Sequence, residues 1–265
     1  MNVKTIYLLA VLLCIAAACK KDNSGTPIPP PEPVKKYLAK VLLAGNDGST
    51  YERERCTWDS LHRLKTYWSC AHVHVFDSEF YYDSIGRVSR IDYYAYIGTF
   101  RWLYFIFDWK NENKLNGIDI HMHNVLFDTT YYNWSRDTYF YDESGRNIEI
   151  QRVYANANYT RIYQLEWDGL NIASTTNVPY YSYINNQKFD DKHSPWSVFP
   201  DLFIVGLVAD MNSISLYNPS KNNPIVDGGG RKYEYDYDED GYPLHQYLIR
   251  EDGTKDLWYI FEYYN

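Results

Sequence analysis

Two His-x-His pairs, His72/His74 and His121/His123, are the residues whose type and spacing most suggest chemistry. Alternate side chains of a strand share a face, so each pair could offer two imidazoles to one metal ion. Cys70 stands beside the first pair and Asp119 beside the second. A metal site of this kind needs three or four converging ligands. In a meander about four strand steps separate the pairs, about 19 Å at ~4.8 Å per step. Polar alternation on a solvated strand accounts for both pairs, and neither a metal nor a cofactor is expected. Nucleophilic catalysis lacks a Gly-x-Ser-x-Gly elbow and a cysteine in a protease signature. The 34 Asp and Glu residues recur mostly at turn positions, so no acid/base pair can be nominated for glycoside hydrolysis. Gly228-Gly229-Gly230 precedes a Lys/Tyr strand and not a helix, which excludes a phosphate cradle. No catalytic residue is expected, and the chain reads as non-enzymatic.

The aromatic content points elsewhere. With 29 Tyr, 8 Trp and 11 Phe, the chain suits a sheet with a wet face, where rings pack and hydroxyls stay hydrated. Cross-strand ladders are the structural use of such residues. The functional use is sugar stacking, for which Trp102, Trp109, Trp134 and Trp196 are the candidate ligand-binding residues.

The elements that must position these residues begin after an N-terminal leader. Lys4 precedes an apolar run from Ile6 to Ala18, and Ala16-Ala17-Ala18 leads into Cys19. The run is too short for a comfortable membrane span and reads as a secretory signal over residues 1–18. A cysteine directly after small residues resembles the lipobox of bacterial lipoproteins, which implies lipidation at Cys19. Residues 19–36, with five prolines between Asn23 and Pro33, form a Pro-rich, lipid-anchored tether. Lys20-Lys21-Asp22 is similar to the tripeptides that send Bacteroidota lipoproteins to the outer face of the outer membrane. Surface display is expected, with a periplasm-facing alternative. Asp59-Ser60-Leu61, Asp83-Ser84-Ile85 and Asp128-Thr129-Thr130 also resemble O-glycosylation sites of exported Bacteroidota proteins, although Asp-Ser is equally good turn chemistry.

Residues 37–265 form a single β-repeat domain built on one recurring turn. Tyr82-Asp83-Ser84-Ile85-Gly86-Arg87 is its clearest copy, and Tyr141 to Arg146 and Tyr237 to Tyr242 repeat it. Trp58 to Arg63 keeps all but the glycine, and Phe107-Asp108 and Trp167-Asp168-Gly169 open altered copies. Asp accepts hydrogen bonds from backbone N–H groups two residues on, and Gly three residues later fits the left-handed position that closes the turn. Asp59, Asp83, Asp108, Asp142, Asp168 and Asp190 lie 22 to 34 residues apart, about one hairpin per repeat. The expected fold is all-β: an antiparallel meander of hairpins forming an open curved sheet or partly closed roll. Asp201 to Met211 is apolar without alternation and reads as one short helical segment, near 201–211, covering the sheet. Phe100 to Trp109 is a strand apolar on both faces. If the first turn centres near Leu61, Cys56 faces about position 66. Cys70 then lies about 13 Å away at ~3.3 Å per residue, beyond bridging reach. Two buried free thiols are expected, or a disulfide if the register differs.

The Tyr-Asp-x-x-Gly-Arg units resemble degenerate YD repeats. Together with Phe189 to Trp196, Lys221-Asn222-Asn223-Pro224 and Tyr235 to Pro243, they resemble a Bacteroidota family of secreted lipoproteins of unknown function with a porin-like β fold. The likeness runs from about Tyr37 to Asn265 and implies no catalytic residues. A net charge of −8 without a Lys/Arg cluster excludes nucleic acid as a partner. The sequence therefore points to a non-enzymatic outer-membrane lipoprotein. Its partners are the membrane, through the anchor, and an envelope protein or other ligand. A surface glycan-binding role in polysaccharide capture is the alternative, and a secreted hydrolase comes third.

Overall fold

A computed structural model of the chain describes residues 35–71, 74–95, 100–112, 114–123, 131–155, 160–178, 181–184, 187–196 and 221–264. The signal, Cys19, the tether up to residue 34 and the 201–211 segment lie outside the described residues. Strands β1 (Tyr37–Ala44), β2 (Thr50–Trp58), β3 (Leu64–Ala71), β4 (His74–Tyr82) and β5 (Val88–Ala95) open the fold. There follow β6 (Phe100–Asn111), β7 (Lys114–His123), β8 (Tyr131–Tyr141), β9 (Asn147–Tyr154), β10 (Thr160–Asp168) and β11 (Asn171–Val178). The last are β12 (Tyr181–Ile184), β13 (Lys188–Phe189), β14 (Pro224–Val226), β15 (Lys232–Tyr237), β16 (Pro243–Ile249) and β17 (Lys255–Tyr264). No helix occurs among the described residues.

The recurring turn forms as its chemistry dictates. In the turn 83–87 the Asp83 N–H donates to the Arg87 carbonyl at 2.8 Å, and the Gly86 N–H returns to the Asp83 carbonyl at 3.0 Å. The Asp83 carboxylate accepts the N–H groups of Ile85 and Arg87 and the Arg87 Nε. Residues 59–63, 142–146 and 238–242 share the backbone pattern. His62 takes the left-handed position that Gly86 fills elsewhere, at φ 57°. Two expectations are corrected here. Asp108 opens no turn: it lies inside β6, which runs on to Asn111, and its carboxylate faces Arg136 and Asn116 instead. Conversely, Asp227-Gly228-Gly229-Gly230-Arg231 is a full copy of the turn, with Asp227 accepting from Gly229 and Arg231.

Turns such as 59–63 and 83–87 join β2 to β3 and β4 to β5 at one rim of the sheet. At that rim the gaps between successive turns are spanned by aromatic side chains. Trp58 Nε1 donates to the Leu38 carbonyl at 2.9 Å, and Tyr82 Oη to Leu64 at 2.7 Å. Trp109 reaches Val88, Tyr141 reaches Leu115 and Trp167 reaches Asn147. Tyr235 and Tyr263 do the same to Pro224 and Pro243. Each acceptor lies at or next to the start of its strand, where a carbonyl would otherwise lack a partner. The aromatic before Asp59, Asp83, Asp142 and Asp168 is therefore a staple to the preceding strand. Before Asp238 that part falls to Tyr235, and the Tyr237 hydroxyl donates to Asp190. At β11 the role passes to side chains: Asn171 Nδ2 donates to Asn222 Oδ1, and Asn171 Oδ1 accepts the Asn222 N–H.

Every ladder is antiparallel, and β1 pairs with both β2 and β17, with Tyr37 opposite Tyr264. The sheet of repeated hairpins thereby curls into a nearly closed barrel, more closed than an open curved sheet. Lys36, assigned to the tether, is bound at this closure by Asp238 at 2.7 Å and Asp240 at 2.8 Å. Lys35–Asn265 is one compact unit. A single apolar cluster fills its inner face, with Leu38, Ile91, Leu103, Phe105, Ile118, Ile120, Ile150 and Phe261 among its members. Many outward positions are charged: Lys232, Glu234 and Asp236 alternate with the inward Tyr233, Tyr235 and Tyr237 on β15, whereas Ile106, Phe140 and Val153 are apolar and exposed. Gln164 and Glu166 alternate with buried Tyr163 and Leu165 on β10. On β6, Leu103, Phe105 and Phe107 face inward as the two-faced strand predicts. Cys56 lies opposite Tyr67, one residue from the expected position, and Cys70 opposite Val75. Both thiols are free, Cys56 buried and Cys70 only half-buried.

Candidate functional site

The described sequence candidates do not converge. Trp109 is half-buried against the core, its indole committed to Val88 and the Arg87 guanidinium 5.4 Å from its ring. Trp134 meets Tyr154 edge-on at 5.3 Å, and Trp196 packs against the core beside Ser194. Among the described residues no ring contact joins any two of these three, and the side chain of Trp102 lies outside them. His72 is likewise outside. His74 is on β4 and His121 on β7, three ladder steps apart rather than four. No cluster of three metal-ligating residues occurs among the described residues.

What the fold does bring together is a grid on the outer face of β4–β8. Register places Glu79, Asp92, Tyr104, His121 and Asn133 in one row across the five strands. Tyr81, Arg90, Ile106, Asp119 and Arg136 form the adjacent row. Within the grid the Tyr104 and His121 rings stack at 4.4 Å with 5° between planes. The Arg90 guanidinium lies 4.9 Å from Tyr104 and 5.8 Å from Tyr81, so four strands contribute to one stack. Arg90 also holds Asp92 through two bonds of 2.6 and 2.9 Å. Arg136 forks between Asp119 at 2.6 Å and Asp108 at 2.7 Å.

Electrostatics follow from these contacts. Burial, and then the nearby Arg90 charge, lower the pKa of His121 against the opposing pull of Asp119. Bonds from Asn116 and then Arg136 hold Asp108 below the usual carboxylate range. Glu79 accepts the hydroxyls of Tyr81 and Tyr94, and the first of these pushes Tyr81 up to about 12. The Tyr104 ring and both guanidiniums already serve neighbours, so an incoming molecule meets the exposed Tyr81 ring, Ile106, the Glu79 carboxylate and the Asn133 amide. This is a surface for polar and ring contacts. Of its residues the sequence names His121 and Asp119 as candidates for chemistry and places Tyr104 and Ile106 on one face of the strand Phe100 to Trp109; the rest of the grid arises from cross-strand register.

The inner face holds two further polar groups. Asp137 and Arg152, paired across β8 and β9 and both 0 % exposed, share bonds of 2.8 and 2.9 Å. Burial raises the Asp137 carboxyl against the pull of Arg152. Glu54 is 5 % exposed beside Arg53, Cys56 and Tyr67, and burial pushes its carboxyl up to about 7.

No family model matches the chain, and no curated protein matches it. Solved structures do. The chain is similar to the crystal structure of a porin-like protein from Bacteroides vulgatus, with 12% identity and a TM-score of 0.39 over 87% of this chain and 99% of that one. It is similar also to a porin-like protein from Bacteroides uniformis, with 11% identity and a TM-score of 0.35 over 86% of this chain and 98% of that one.

Proposed function

We propose that the chain is a non-enzymatic cell-envelope lipoprotein, held to the outer membrane through Cys19, whose barrel binds a partner or ligand on its outer face. The observation that carries this reading is the division of labour between the two faces. The inner face carries one apolar cluster, interrupted by the Asp137–Arg152 pair and Glu54, whereas the outer face is mostly polar and carries the β4–β8 grid. A lipid-spanning barrel has the reverse pattern, apolar outside and polar within. The domain accordingly acts as a body in water and not as a conduit. Cys19→Ala should release the protein from the membrane fraction, and retention of the variant would count against the anchor. Cleavage by protease added to intact cells would support surface display.

The second reading is glycan capture, favoured by the Tyr81, Arg90, Tyr104 and His121 stack with the Glu79 and Asn133 polar groups beside it. Affinity electrophoresis of the unit from Lys35 through gels containing a panel of polysaccharides tests it. The expected result is retardation by one glycan that alanine at Tyr104, Trp102, Trp109, Trp134 or Trp196 removes. Unchanged mobility across the panel would leave an envelope protein as the partner.

A further inference from the structure

We propose that the barrel rim formed by turns 59–63 and 83–87 lies against the lipid surface to which the chain is anchored. The proposal rests on the lipoprotein reading for the presence of an anchor. Its own evidence is the composition and position of the turn tips.

One backbone turn pattern recurs at both ends of the barrel, which gives an internal comparison. Among the described residues of the rim opposite Lys35, turns 45–49, 227–231 and 250–254 carry Asp47, Gly229 and Asp252 at the third position, and these three turns hold no apolar side chain. At the rim of Lys35, the same position holds Leu61 and Ile85, exposed to 68 % and 60 %. Ser144 and Asp240 occupy it in turns 142–146 and 238–242 of that rim, so turn geometry is satisfied without an aliphatic side chain. Leu170, in the short turn between β10 and β11 on the same rim, is exposed to 61 %. Burying such side chains is favourable, and nothing in the turn itself calls for them.

Position names the occupant. The chain enters the barrel at this rim, where Tyr37 packs on Trp58 and on His62, each at 4.9 Å, directly beside Leu61. The described chain therefore begins, at Lys35, beside the apolar tips. Turns 59–63 and 83–87 belong to neighbouring hairpins, about 10 Å apart at two strand spacings, so their tips present together. Arg63 and Arg87 are each paired within their turn to Asp59 and Asp83. The tips thus approach a lipid surface with their charges already matched, and contact should not depend on anionic lipid.

The test is hydrogen exchange of the chain from Lys20, held on phosphatidylcholine vesicles by an N-terminal histidine tag and a nickel-chelating lipid, against the same chain free in solution. This attachment does not depend on acylation of Cys19. The expected result is slowing of about fivefold or more at amides 60–62 and 84–86, the range that local protection of an open turn gives. Amides 251–253 on the opposite rim should be unchanged, and Leu61→Ser with Ile85→Ser should abolish the slowing. Equal exchange at both rims would overturn the proposal, as would slowing that survives the double substitution and so reports a contact other than the aliphatic tips. Loss of fatty-acid labelling at Cys19 would refute the anchor separately and leave this readout standing.

Discussion

Replacing Glu54 by Gln should change how stability depends on pH, by an amount the structure sets. Glu54 projects into the apolar interior beside Cys56 and Tyr67, with Arg53 Nε 3.9 Å away and the Tyr259 ring near Arg53. Burial raises its pKa from 4.5 to about 7, against weaker opposing pulls from Arg53 and the Tyr67 hydroxyl. A carboxyl whose folded-state pKa exceeds its unfolded one favours the folded state only while protonated. Below pH 4.5 both states hold the proton and Glu54 costs nothing. As pH rises from 4.5 towards 7 the folded state binds more protons than the unfolded state, so stability falls. Above 7 the full penalty applies, about 3 kcal/mol at ~1.4 kcal/mol per pKa unit. Glu54→Gln keeps the shape and removes the titration. Urea unfolding of both proteins at pH 4.5, 6, 7 and 8 gives the difference between them, in which all other titrating groups cancel. Relative to wild type, the variant should gain about 3 kcal/mol between pH 4.5 and 8, roughly 6–12 °C in Tm for a domain of this size. A difference that stays flat across that range would refute the assignment of Glu54 to a desolvated interior.

Three further outcomes follow from the same structure. Arg152→Met leaves Asp137 charged and unpaired in the core and should cost about 3–5 kcal/mol by urea unfolding, most of which Asp137→Leu in the same chain should restore. Tyr82→Phe removes the staple to the Leu64 carbonyl and should cost about 1 kcal/mol, measured as a shift in urea midpoint at unchanged m. Gly86 sits at φ 88°, and a Cβ there would meet only Arg63 Nη1 at 3.9 Å, an ordinary contact, so Gly86→Ala should destabilise by about 1–2 kcal/mol through backbone strain. Thermal unfolding checks it.

Local features of the fold were legible in the sequence because their causes are local. Asp83, Gly86 and Arg87 specify a turn within five residues, and the same unit at 142–146 and 238–242 folds identically. The copy at Asp227 to Arg231 was equally readable, since it keeps Asp, Gly and Arg at the same spacing. Asp108 differs: Asn111 stands three residues on and no arginine follows, and β6 runs through to Asn111. Asp59 turns without glycine because His62 takes the left-handed position and Arg63 pairs with Asp59. Non-local features were out of reach. The pairing of Tyr37 with Tyr264 joins the two ends of the barrel, and no local pattern encodes it. The Asp137–Arg152 pair and the β4–β8 grid depend on register between strands, which one-residue bulges such as that between Tyr93 and Tyr94 reset. Trp109 looked like a ligand platform because sequence shows a ring but not the carbonyl that its N–H is committed to.

The central claim is that this barrel is a filled, water-facing body that works by outer-face contacts. Current across a planar bilayer after addition of the purified chain tests it most directly. The apolar inner cluster and the charged outer face predict a baseline trace with no unitary steps at any applied voltage. Stepwise openings of uniform conductance would contradict the account, because they require a wet lumen and a lipid-facing exterior.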